Sequence, residues 1–206
     1  AGAQVLTRPV VSGGVVLLRT GGGQMLAIEV ADGSVRWRSP HRVPELTLRG
    51  VSEPLVHRGR ALAGLANGRL LSIDLGTGQT VWSVVVDRAR GSNEIARLID
   101  LDSRPVIVGD VLFAGAYQGR MMALDVATGK VVWTQGKDGT CYSSPLLVTH
   151  RGVRQIIEWN HRALVGVESK TGKLLWEHPF PHLTHNQNMP TPSFFNGQVL
   201  LGGENR

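Results

Sequence analysis

Four tryptophans close four copies of one short pattern, and that repetition leaves few folds open to the chain. Trp37, Trp82, Trp133 and Trp176 follow one another at 45, 51 and 43 residues. In the third copy Met121-Met122-Ala123-Leu124-Asp125 leads through Ala127-Thr128-Gly129-Lys130 to Val131-Val132-Trp133. The others pass through Asp32-Gly33, Thr77-Gly78 and Thr171-Gly172 to their own tryptophans. Residues alternating with a period of two form strands with two distinct faces. Gly33, Gly78, Gly129 and Gly172 stand where a tight turn needs positive φ, and Gly119 takes the same role in the hairpin before Met121. A second marker agrees: Pro9, Pro54, Pro105, Pro145 and Pro192 each open an apolar run. A repeat of this length built from several short strands is the signature of a β-propeller blade.

The expected fold is therefore all-β, with four four-stranded blades at about 5–38, 52–86, 103–136 and 143–178. Half a blade follows at 190–206, where Asn196-Gly197 turns between two strands. Composition supports this reading: 26 glycines suit many turns, and 42% hydrophobic residues suffice for a packed core. No run of 18 apolar residues is present, so no transmembrane helix is expected. The first residues, Ala1-Gly2-Ala3-Gln4-Val5-Leu6, do not read as a signal peptide.

Net charge is +6. The basic residues are dispersed over turns and strand edges, where they protect exposed β edges from pairing. With only 5% aromatic residues there is no stacking platform for bases, so nucleic acid is not an expected partner. Cys141 is the single cysteine; with no adjacent His or acid it reads as a structural thiol. His178, His182 and His185 lie close together, but the intervening prolines forbid a helix that would align them as metal ligands. Asp100 and Asp102 stand two apart without a further ligand nearby. No metal site is expected.

Two connectors between blades are longer than a minimal link. The first contains Val43-Pro44-Glu45-Leu46-Thr47-Leu48-Arg49-Gly50, an apolar pair beside a charge, which suits a protein contact. The second runs from Asp87 to Asp102, and Ser92 with Glu94 suggests a short helix through Arg97. These stretches, together with Ala66-Asn67-Gly68-Arg69 and Tyr117-Gln118-Gly119-Arg120, resemble the BamB family of periplasmic lipoproteins that assist β-barrel insertion in the outer membrane. The resemblance covers about the first 136 residues. It implies an eight-bladed propeller, a periplasmic location, no catalysis, and binding to the periplasmic domains of the barrel-insertion protein. Carried over by position, the contacts are Leu46, Leu48, Arg49, Asp100 and Asp102: the leucines anchor, and the charged groups give directional bonds.

From Gly136 onward the blades, including Arg154-Gln155-Ile156-Ile157-Glu158-Trp159-Asn160, are similar instead to quinoprotein-like repeat propellers of bacteria. The chain thus reads as a graft of two propeller families, with a designed scaffold that has no ligand as one reading and a divergent natural protein as the alternative. Quinone-dependent enzymes of that type use acidic and amide calcium ligands and commonly adjacent cysteines. Cys141 is followed by Tyr142, so neither a quinone cofactor nor a dehydrogenase activity is expected. Four and a half blades do not encircle an eight-bladed axis, so a second copy is expected to complete the ring as a homodimer. A five-bladed monomer closed by a swapped strand is the alternative.

Overall fold

Each proline marker sits one residue ahead of a strand. Pro lacks an N–H to give to a ladder, so the start of a strand is one of the few sheet positions it tolerates. A computed structural model describes residues 5, 7–20, 22–42, 53–88, 101, 104–115, 120–136, 143–160, 162–180 and 191–202. Among these residues every regular element is a β-strand. The chain divides into two units, Ala1–Arg104 and Pro105–Arg206.

In the first unit β1 (Val10–Ser12), β2 (Val15–Arg19), β3 (Gln24–Glu29) and β4 (Val35–Pro40) form one antiparallel sheet in chain order. A second such sheet contains β5 (Leu55–His57), β6 (Arg60–Gly64), β7 (Arg69–Asp74) and β8 (Thr80–Val85). Val5, the first described residue, bridges Thr20 of its own unit. The second unit repeats the design. Its first sheet is β9 (Val106–Val108), β10 (Val111–Gly115), β11 (Met121–Asp125) and β12 (Val131–Gln135). Its second is β13 (Leu146–His150), β14 (Val153–Trp159), β15 (Ala163–Glu168) and β16 (Leu174–Pro179). A two-stranded hairpin follows, β17 (Ser193–Phe195) and β18 (Gln198–Leu200), joined by Asn196 and Gly197, both at positive φ.

The middle strands of a sheet pack on both faces, so they read as continuous apolar runs. In the first unit Val15, Leu17, Met25, Ala27 and Trp37 share one core with Ala61, Ala63, Leu71 and Ile73 of the next sheet. In the second unit Phe113, Met121, Ala123 and Trp133 pack with Ile156 and Val167. The far face of the last sheet, Val148, Ile157, Trp159 and Leu164, packs against Phe194 and Val199 of the hairpin.

Trp37 and Trp133 lock sheet to sheet. Each of the four tryptophans stands opposite a small residue of the neighbouring strand, namely Ala27, Ser72, Ala123 or Gly166, and each pairing shifts register beside it. Such a bulge adds twist and re-aims the side chain that follows. Trp37 Nε1 donates to the Leu75 carbonyl at 2.8 Å, and Trp133 Nε1 donates to the Ser169 carbonyl at 3.1 Å. The same indoles lie flat against the turn glycines. A Cβ on Gly78 would stand 2.6 Å from Trp37 Cδ2, and one on Gly172 would stand 2.6 Å from Trp133 Cδ2. Glycine is thus required twice over, by its positive φ and by the indole above it.

The outermost elements break this rule in complementary ways. The Gly33 turn has the same φ, +73°, but carries no indole: nothing lies within 4 Å of its Cβ position. Trp176 does not reach a turn of another sheet. Its ring rests on Gly166 of its own sheet, and its Nε1 donates to Gln155 Oε1 at 2.7 Å.

Candidate partner interface at the connector stems

Leu46, Leu48, Arg49, Asp100 and Asp102, together with the short helix expected from Ser92, lie outside the described residues. So do Gly119, Cys141, His182 and His185. The described stems of the two long connectors do show where those connectors are rooted.

Both are tied to the loop that joins β6 to β7. Asn67 Nδ2 donates to the Arg42 carbonyl at 3.1 Å, at the start of the first connector. The Gly68 carbonyl accepts the Val86 N–H at 2.9 Å, and the Asp87 N–H approaches it at 3.3 Å, at the start of the second connector. Where the second connector returns, Leu101 N–H points at the Leu65 carbonyl at 3.4 Å, and its side chain is buried. The loop can do this because Gly68 takes φ +71° and Asn67 Oδ1 accepts the Arg69 N–H, a local turn of the Asx type. One four-residue loop thereby gathers the start of one connector and both ends of the other.

The floor under the first stem is polar and ordered. Arg19 is almost fully buried, and its Nη1 donates to the Gly64 carbonyl of the next sheet. His41 Nε2 lies 3.3 Å from Ser39 Oγ. Burial, and then the Arg19 guanidinium, hold the His41 imidazole below its usual range, so it is neutral at pH 7. Asp87 is buried at the second stem, with Oδ1 accepting the Arg88 N–H at 2.8 Å. Glu53, where the first connector returns, faces Arg8 at 3.7 Å, a solvated pair of small energetic weight. Such an arrangement roots the stems of both connectors at one end of the second sheet.

Arg19 and Asn67 are the residues that sequence reasoning missed. The Asn67-Gly68 pair was legible as a turn, but its bond to Arg42, 25 residues away, was not. Nothing local separates Arg19 from the charges at strand edges, yet it spans two sheets. His178 is exposed and its ring stands edge-on to Phe180 at 5.0 Å. Among the described residues no three His, Cys, Asp or Glu side chains stand together as a metal site would need. One buried acid lies elsewhere: Glu158 on β14, whose carboxyl burial pushes up to about 8.

Repeated four-stranded antiparallel sheets, interlocked by a tryptophan from one and a glycine turn from the next, define a β-propeller of quinoprotein-like repeats. The sequence profile of the family described as "Outer membrane protein assembly factor BamB" matches residues 1–154. The chain belongs to the BamB family. BamB of Yersinia pestis is 34% identical over 199 residues, 97% of this chain and 49% of that protein. BamB of Escherichia coli K12 is 35% identical over 160 residues, 78% of this chain and 39% of that one. The crystal structure of BamB from Moraxella catarrhalis matches with a TM-score of 0.74 at 28% identity, covering 86% of this chain and 53% of that chain. A quinohemoprotein alcohol dehydrogenase from Comamonas testosteroni matches at 14% identity with a TM-score of 0.60, covering 96% of this chain and 39% of that one, a likeness of fold alone.

The chain spans about half the length of the curated relatives it matches. The alignment to the Yersinia protein covers 97% of the chain, so it runs past Gly136, where the sequence had suggested a change of family.

Proposed function

We propose that the chain is a non-catalytic scaffold for outer-membrane protein assembly. It acts in the periplasm and binds the periplasmic domains of a barrel-insertion protein through its two long connectors. Leu46 and Leu48 anchor the contact; Arg49, Asp100 and Asp102 form charge-assisted bonds around them. The observation that carries this reading is the β6–β7 loop, which holds Arg42, Val86 and Leu101 at one end of the second sheet. Two connectors rooted on one loop present one composite surface.

The test is a binding titration against the purified periplasmic domains. Leu48→Ala and Arg49→Ala are each expected to weaken binding by roughly tenfold or more, as central apolar and Arg contacts do. Unchanged binding in both would sink the reading. The same proposal has further blades of this repeat covering the bare Gly33 turn and taking up Trp176. For the 206-residue polypeptide alone, a second copy supplies them. Sedimentation at micromolar concentration is expected to give a dimer, and a clean monomer refutes that part.

A further inference from the structure

One position after the third strand of each sheet differs between the repeats. Leu75, whose carbonyl takes the Trp37 N–H, sends its side chain into the core between the first two sheets. Its Cδ2 lies 3.4 Å from where a Cβ of Gly13 would stand. Val30 and Val126 occupy the same place in the first and third sheets. In the fourth sheet the residue is Ser169, whose carbonyl takes the Trp133 N–H. The apolar plug is missing, and a groove of 480 Å³ opens there, lined by Val108, Val111 and Phe113 and by Arg154, Lys170 and Ser169.

The lining carries two charges, both cations. Neither Arg154 nor Lys170 forms an ion pair with a described residue, and both are exposed. The carboxylate adjoining Ser169 in sequence, Glu168, is already engaged by the Thr171 hydroxyl. The groove also lies at the far end of its sheets from the inter-sheet connectors. The turns between first and second strands, and between third and fourth, share one end of a sheet, while the chain leaves for the next sheet from the other.

We propose that this groove binds an extended acidic peptide. One apolar side chain of the peptide sits on Val108, Val111 and Phe113, where a leucine sits between the first two sheets. Carboxylates flanking it meet Arg154 and Lys170. The volume falls within the range of small-ligand pockets, so the charges at its rim, not its size, select the occupant. Two cations without an ion pair among the described residues, set over an apolar floor, select an acidic segment, because a basic one would bring like charges together.

The test is fluorescence anisotropy with a labelled, capped pentapeptide Ser-Glu-Phe-Glu-Ser at low salt, against its Gln-for-Glu analogue. The acidic peptide is expected to bind about tenfold more tightly than the analogue, with the difference shrinking as salt rises. The double variant Arg154→Ala, Lys170→Ala is expected to erase that preference. Ser169→Leu is expected to abolish binding of both peptides while melting no lower than the parent, since leucine fills this place between the first two sheets. Equal binding of the two peptides, or binding unaffected by both variants, overturns the proposal. So does capture by vesicles one quarter phosphatidylglycerol with no peptide binding, which would assign the cations to a lipid surface.

Discussion

Replacing Gly78 and Gly33 separately by alanine isolates the energy of an indole docked on a turn. The two glycines have nearly the same backbone conformation, φ +74° and +73°, at equivalent turns of adjacent sheets. At Gly33 the new methyl meets nothing within 4 Å, so only the left-handed backbone opposes it. That term is about 1–2 kcal/mol. At Gly78 the methyl would stand 2.6 to 2.9 Å from three atoms of the Trp37 ring. The ring must move, and with it goes the 2.8 Å bond from Trp37 Nε1 to the Leu75 carbonyl. Leaving those buried groups unpaired adds about 1–3 kcal/mol. Gly33→Ala should therefore cost about 1–2 kcal/mol and Gly78→Ala about 2–5 kcal/mol. The assay is urea unfolding followed by far-ultraviolet circular dichroism, a signal dominated by the peptide backbone of the sheets. With a slope of about 2 kcal/mol/M, the two midpoints should differ by roughly 1 M. Equal midpoints would refute the claim that the indole locks the two sheets together.

Two further outcomes follow from titrating groups. Burial pushes the Glu158 carboxyl up to about 8 from its ordinary value of 4.5. Between those values the unfolded chain releases a proton that the fold retains, so stability falls as pH rises across that window. Glu158→Gln should accordingly stabilise the protein more at pH 8 than at pH 5 in thermal melts, and a pH-independent difference would contradict this. Asp125 is held below the usual carboxylate range by the Thr128 hydroxyl and then by the Thr128 N–H. Its contribution is present above the ordinary Asp pKa and is lost as pH falls through the lowered one. Asp125→Asn should flatten the acid limb of the stability profile, and an unchanged limb would argue that this turn does not report acid unfolding.

The strands, the tight turns and the repeat were legible without coordinates, because each depends on neighbours only a few residues away. Pro9, Pro54, Pro105, Pro145 and Pro192 announce five first strands, and the Thr-Gly turns announce the hairpins that end in tryptophan. The candidate interface was legible only as two connectors of unusual length. Their common root was not, since Asn67 reaches Arg42 across 25 residues and Arg19 reaches Gly64 across 45. Leu46, Leu48 and Arg49 read as an apolar pair beside a charge, and the assignment of these with Asp100 and Asp102 to one contact comes from resemblance.

Local alternation, proline placement and glycine conformation are properties of the chain itself, so the sequence alone determined the blades and their number of strands. Tertiary structure decided which carbonyl each indole meets, 38 residues away for Trp37 and 36 for Trp133. It also decided that Trp176 lies on its own sheet and that Ser169 lines a groove where Leu75 packs into a core. These outcomes depend on what the next sheet brings opposite a residue, and no local pattern encodes that.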